Sequence, residues 1–494
     1  MKRFLLLNAH KWQPPSPPAA LDYIAWELEK AGIHSDIVDV TFLEDIEEEL
    51  RCILQKRVYD GICLTIRNLD ATTSFENISV PLPSIRDLVH LIREHCNCPI
   101  IAGGNGFSIS PEKILDYLGA DYGIWGPGEE VLHLLVQHIL YEKRDLKEIA
   151  HLVYRDGDKT KKNPMLCSRK RLPAVKRGYI NYRAYFRPGF ENFAGFGNVE
   201  TQRGCPYHCI YCVDPEIKGR TVRVKAPEDV TDEIDWFLSK GIQYFFLADS
   251  EFNADSDAAV QLLTYWMKNG YARKIKWIAY ATPANFTEEL AYCLSQSGNL
   301  STMIDFAHIS SPILSNLGKS YTSHTVEETI SYCVKHDVPF RGSLMLGGPG
   351  ETRETMKEAI EFFKGVPCKL FAVLGIRLYP NTPLGDKIRT SGPLVENPNL
   401  YGKVIDNDDL LEPVFYISNE LGEDAFEYLL DLIGDSEQFY APLKPITLSK
   451  KIYGPYRGFK PKYGISGRSY SCYITKHPKS RTRSPVYEES SENQ

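Results

Sequence analysis

Three cysteines, Cys205, Cys209 and Cys212, fall within eight residues in Thr201-Gln-Arg-Gly-Cys-Pro-Tyr-His-Cys-Ile-Tyr-Cys212. Three thiolates are one short of a closed structural metal site and one short of the full set around an iron–sulfur cube. A cluster held by three thiolates keeps one iron open, and an open iron can bind a substrate or cofactor. The competing reading is a zinc site with His208 as fourth ligand. It is disfavoured because no second Cys/His pair follows at finger or ribbon spacing.

Other residues of chemical interest fall in turns. Arg67 and Asn68 lie in Leu64-Thr-Ile-Arg-Asn-Leu-Asp70, Gly103 and Gly104 open Gly-Gly-Asn-Gly, and Gly126, Gly128 and Glu129 lie in Gly-Pro-Gly-Glu-Glu130. Glycines there let backbone approach a ligand closely. Further on, Asp249 and Glu251 lie in Leu247-Ala-Asp-Ser-Glu-Phe-Asn253, and Gly347 and Gly348 in Leu344-Met-Leu-Gly-Gly-Pro-Gly-Glu-Thr352. No G-x-G-x-x-G follows the first strand, which disfavours a nicotinamide or flavin dinucleotide site.

The elements that must carry these residues alternate between strand and helix. Strands are expected near 2–9, 34–40, 61–67, 99–104 and 122–126, with helices near 19–31, 42–56, 82–96, 111–118 and 128–141. This pattern predicts a doubly wound parallel sheet over 1–142, and ligands of such sheets bind at the carboxyl ends of strands. Residues 143–195 read as a connector with an Asp-Gly hairpin near 152–160. Strands near 197–203, 243–249, 274–280, 301–307, 339–346 and 369–378 predict a partial barrel of six units over 196–390. Residues 391–494 carry no chemical motif. They hold an amphipathic helix over 420–435 and a basic, tyrosine-rich segment, with eleven Lys/Arg, seven Tyr and no acid over 438–487.

The chain has 494 residues, 43% hydrophobic and 24% charged, with a net charge of −7. That argues mildly against general nucleic-acid binding. No run of eighteen apolar residues predicts a membrane span. Twelve scattered cysteines are not a disulfide framework, and an oxygen-sensitive cluster fits a reducing cytoplasm.

The cluster motif, with Tyr211 before the last cysteine and the Arg-Gly-Cys-Pro lead-in, resembles that of radical S-adenosylmethionine (SAM) enzymes. The first domain resembles the cobalamin-binding domain fused in front of many of them. The resemblance implies three cofactors: a [4Fe-4S] cluster on the three cysteines, SAM chelated to the open iron, and cobalamin. It implies that Asp249 or Glu251 takes the SAM amino group, Ser310 touches the ribose, and the Gly347-Gly348 turn lies beside the adenine. The turns at Gly103-Gly104 and Gly126-Pro-Gly128-Glu129 would surround the cobalamin nucleotide tail. Arg67 and Asn68 would lie under the corrin, in the style of tryptophan C-methyltransferases. An arginine has no lone pair for cobalt, and no Asp-x-His-x-x-Gly motif supplies a histidine. Ion pairs of purely structural value are the competing readings for Arg67, Asp249 and Glu251.

The implied activity is a C-methyltransferase that moves a methyl group from SAM through methylcobalamin to a carbon of a small-molecule or peptide substrate. An electron donor such as flavodoxin or ferredoxin would serve it. Two alternatives stay open: a cyclase, ring-rearranging or oxidative enzyme of the same build, and a non-catalytic cobalamin- or metal-binding module.

Overall fold

The computed structural model describes residues 2–11, 15–70, 80–166, 171–185 and 197–441. The first strand, β1 (Arg3–Asn8), is a continuous apolar run and is buried on both faces. It is flanked in parallel by β2 (His34–Asp39) and β3 (Gly61–Thr65). β4 (Ile100–Gly103) and β5 (Tyr122–Ile124) continue the sheet in parallel. The order β2-β1-β3-β4-β5 reverses direction between β1 and β3, the switch point where such sheets open a crevice. The expected hairpin forms as β6 (Leu152–Asp156) and β7 (Lys159–Lys162). It is not a free connector: β6 adds antiparallel to β5 and extends the sheet to seven strands.

Helices start where the local chemistry allows. Asp45 accepts a hydrogen bond from the Glu48 amide, so the second helix runs Ile46–Lys56 rather than from 42. Leu132–Tyr141 begins after a 3-10 turn at Gly128–Glu130. Residues of β1 alternate between two cores. Leu5 and Leu7 pack on the outer face with Leu50, Ile85 and Leu115. Phe4 and Leu6 pack with Leu21 and Ala25 in a core that runs on without a break into the second half of the chain. Fully burying one such side chain contributes roughly 1.5–3 kcal/mol, so the continuous core ties the two halves firmly.

The expected first barrel strand is broken. β8 (Gly197–Val199) ends at a turn, and β9 (Gln202–Arg203) pairs antiparallel with β10 (Arg223–Val224) around the cysteine loop. β11 (Tyr244–Leu247), β12 (Lys276–Ala281), β13 (Asn299–Ala307), β14 (Phe340–Leu346) and β15 (Lys369–Leu374) follow. β16 (Ile376–Arg377), β17 (Leu400–Gly402) and β18 (Val414–Tyr416) form a small sheet of their own. The helix expected over 420–435 is shorter, Ala425–Ile433, because Gly422 and Gly434 break the backbone at both ends. It leads into β19 (Phe439–Tyr440), which adds a seventh parallel strand. The order β19-β15-β14-β13-β12-β11-β8 is therefore one unit longer than six. The basic segment beyond Ala441 lies outside the described residues.

Candidate functional site

The three cysteines sit in the loop that the β9–β10 ribbon pinches. Gly204 has φ +105°, and a Cβ there would meet the Thr221 carbonyl oxygen at 2.3 Å, so the entry to the loop needs glycine. The Cys205 amide donates to Gly219 O at 3.0 Å and the Cys212 amide to Cys209 O at 3.2 Å. Cys205 is buried, while Cys209 and Cys212 are partly exposed. Burial pushes the Cys205 thiol up to about 11 and raises Cys209 and Cys212 too, so a metal must displace their protons.

Among the described residues no three His, Cys, Asp or Glu side chains gather as a single-ion site. His208 is already engaged, its Nδ1 lying 3.0 Å from Arg220 Nη1.

Asp249 and Glu251 divide clearly. Asp249 accepts from the Thr201 amide at 2.7 Å, the Thr201 hydroxyl at 2.6 Å and the Gln202 amide at 3.0 Å, so its carboxylate braces the turn before the cysteines. Burial nonetheless pushes it up to about 7. Glu251 Oε2 is buried with no hydrogen-bond partner among the described residues, and burial pushes this carboxyl up to about 8. Leaving a buried acceptor unpaired costs about 1–3 kcal/mol, which marks Glu251 as the acceptor available to a ligand.

Asp305 and His308, at the end of β13, are engaged within the protein. Asp305 accepts from Lys319 Nζ at 2.5 Å and from the Ser343 hydroxyl at 3.1 Å. His308 is fully buried, and its Nδ1 accepts from the Ser310 amide at 2.9 Å. Its Nε2 lies 3.4 Å from Glu351 Oε1. Glu351 Oε2 accepts from the Gly347 and Gly348 amides at 2.6 and 3.0 Å, and the helix begins at Arg353 under a Thr352 cap. The turn amides are thus spent internally. Gly347 has φ +84°, and its carbonyl accepts from the Ser418 amide at 2.9 Å. No spacing in the sequence signals the His308–Glu351 contact, since the two lie in the turns after different strands.

The remaining site residues come together at the switch point. A cavity of about 420 Å³ is lined by Arg67, Asn68, Gly103, Gly104, Gly126, Gly128 and Glu129 on one side. Glu200, Arg203, Lys218, Phe246 and Ala248 line the other. Gly104 has φ +96°, and a Cβ there would sit 2.5 Å from Ile66 O. Arg67 and Asn68 are exposed toward this space. Glu129 also pairs with Arg203, and Glu130 pairs with Arg223 at 2.5 Å.

Behind the cavity runs a buried network that sequence reading missed entirely. Arg177 donates to Glu233 at 2.6 Å, Tyr182 at 2.9 Å and Asn198 O at 3.0 Å, and lies 3.4 Å from Asp22. Lys225 bonds Glu233 at 2.5 Å and the Tyr23 hydroxyl at 3.1 Å. Burial acts to raise Glu200, but Arg203 beside it wins and holds its carboxyl at about 2. The partners lie up to 202 residues apart, so no local pattern could pair them.

The fold and this site define a radical SAM protein joined to a cobalamin-type domain, and comparison with known proteins agrees. The B12 binding domain model matches residues 7–136 and the radical SAM superfamily model residues 199–363. The tryptophan 2-C-methyltransferase of Streptomyces laurentii is 25% identical over 90% of either chain. The radical SAM methyltransferase TsrM of Kitasatospora setae, with tryptophan substrate and a SAM analog bound, superposes with a TM-score of 0.82. It is 25% identical and covers 91% of this chain and 93% of its own. The same enzyme with cobalamin and a [4Fe-4S] cluster gives 0.80 at 26% identity, over 90% and 93%. The chain belongs to the cobalamin-dependent radical SAM enzymes, and it is of the methyltransferase-like kind. Its cofactor set is SAM, an iron–sulfur cluster and cobalamin. Among the described residues no helix is long and apolar enough to cross a membrane.

Proposed function

We propose that this protein is a C-methyltransferase that moves a methyl group from SAM by way of cobalamin to a carbon of a small-molecule or peptide substrate. The observation that carries the reading is the shared cavity: the turns carrying Arg67, Gly104 and Gly128 and the barrel residues Glu200, Arg203 and Phe246 line one space. When bound, cobalamin supplies a methyl carrier, and the cluster with SAM supplies the methyl donor and an electron. Cys205, Cys209 and Cys212 would hold three irons and leave the fourth open. Glu251 Oε2 would accept from the SAM ammonium, since Asp249 is already saturated. The Gly347-Gly348 turn would take the adenine by shape alone, its amides being held by Glu351. Ser310 would reach the ribose.

Gly103, Gly104, Gly126 and Gly128 would cradle the nucleotide tail, with Asn68 and Glu129 at its edge. Arg67 would cover the lower corrin face with a group that cannot ligate cobalt. On the barrel's inner face Phe246 and Tyr280 stand edge to face at 5.6 Å, a platform suited to a flat substrate group. Flavodoxin or ferredoxin would deliver electrons.

The test is product analysis on anaerobically reconstituted protein with SAM and cobalamin, using tryptophan as the first substrate probe. Methylated product with S-adenosylhomocysteine is expected. Deoxyadenosine alone would sink the transfer and favour a cyclase or oxidase. Changing any one of the three cysteines to Ala is expected to abolish SAM turnover while cobalamin still binds.

A further inference from the structure

The segment Leu317-Gly318-Lys319 docks directly on the cysteine loop, although more than one hundred residues of chain separate them. The Ile210 amide donates to Leu317 O at 3.1 Å. Gly318 has φ +72°, and a Cβ there would meet His208 O at 2.4 Å, so backbone lies against backbone. This contact delivers Lys319. Its side chain is 3% exposed. Its ammonium lies 5.3 Å from the ring centroid of Tyr211, which falls between Cys209 and Cys212 in the loop, and 5.8 Å from that of Tyr321. Asp305 Oδ2, 2.5 Å away, is its counter-ion. Asp305 is itself held by Ser343, its backbone carbonyl by the Tyr321 hydroxyl at 2.7 Å, and its carboxylate keeps 27% exposure.

A buried ammonium set against the cysteine loop costs desolvation that the Asp305 pair only partly offsets. As a brace for the loop it would be redundant, because the backbone contacts already seat it. Charge and hydrogen bonds to the sulfurs are what set the reduction potential of an iron–sulfur cluster. One electron from a low-potential donor adds one negative charge to the cluster, and no proton need follow. A fixed cation over Tyr211, inside the cysteine loop, stabilises that extra charge, whereas the carboxylate behind it opposes the stabilisation.

We infer that the Lys319–Asp305 pair tunes the reduction potential of the cluster on Cys205, Cys209 and Cys212, with Lys319 raising it and Asp305 lowering it. The inference rests on the cluster assignment made above.

The experiment is an EPR-monitored redox titration of reconstituted full-length protein, alongside iron and sulfide analysis. Lys319→Gln is expected to load a full cluster and to lower the equilibrium constant for one-electron reduction at least tenfold, which is 59 mV. Asp305→Asn is expected to shift the potential the opposite way, and Lys319→Arg to return it toward the wild-type value. Shifts of opposite sign are not produced by loosening the loop. A loaded cluster with unchanged potential in Lys319→Gln and Asp305→Asn overturns the inference alone. So does loss of the cluster from both variants, which makes the pair a structural brace. Wild-type protein without iron and sulfide overturns the cluster assignment, and the inference with it.

Discussion

The seam between the two halves and the mouth of the barrel both bury charge, but they treat it differently. At the seam Asp22, Glu200 and Glu233 each face a cation, and Arg177, Lys225 and Arg203 spend their donors on them. At the mouth Glu251 keeps a buried oxygen without a partner among the described residues. A satisfied buried network fixes geometry. An unsatisfied acceptor is retained at a cost in stability and marks a place for a ligand. The seam therefore holds the two halves in one relation, and the mouth keeps an acceptor open to a ligand.

The largest way to break this comparison is at the seam. Arg177→Met strands Asp22 and part of Glu233, and removing one partner of a buried pair costs about 3–5 kcal/mol. Denaturant unfolding of the full chain is expected to lose stability on that scale. A loss under about 1 kcal/mol would show that the seam is slack. Next comes the mouth. Glu251→Gln takes away the carboxyl proposed to meet the SAM ammonium, and a hydrogen bond to a charged group is worth about 1.5–3 kcal/mol, so SAM should bind about 10–100-fold more weakly while cobalamin affinity holds. Calorimetric titration with each cofactor separates the two, and equal losses would erase the distinction.

The smallest expected effect is on pH. Glu251 and Asp249 stand at about 8 and about 7, above their ordinary 4.5 and 3.8, because burial disfavours the charged form. The folded state then binds more protons than the unfolded state between those values, and stability falls as pH rises through this window. Metal-free protein is expected to melt lower at pH 8 than at pH 6. Glu251→Gln should shrink the gap by about 2 °C, whereas a seam substitution should leave the slope unchanged.

Much of this was legible in the residues. Apolar runs such as Phe4–Leu7 and the turns at Gly103-Gly104 mark strands and their carboxyl ends, because burial and backbone freedom act locally. The three cysteines are adjacent in sequence and carry their chemistry with them. Lys319, the His308–Glu351 contact and the Arg177 network were not legible, since each joins side chains brought together only by strand order. β19 was missed because two residues, Phe439 and Tyr440, carry no period. The choice between Asp249 and Glu251 needed hydrogen-bond geometry that no spacing encodes.

The anchoring of the Arg67 turn bears on how this enzyme could be rebuilt. Asp70, three residues on, accepts from Arg377 Nε at 2.8 Å and from the Tyr379 hydroxyl at 3.1 Å. Arg377 also donates to Leu410 O at 3.1 Å. The loop that lines the switch-point cavity is thus pinned from the end of the barrel and from the region beyond it. Two halves that family models recognise separately are not interchangeable parts. A chimera carrying a relative's amino-terminal half would leave Arg377 buried without its carboxylate unless the donor brought its own acid to that spot. The unit that can be grafted is the pair with its partners, not the stretch of chain.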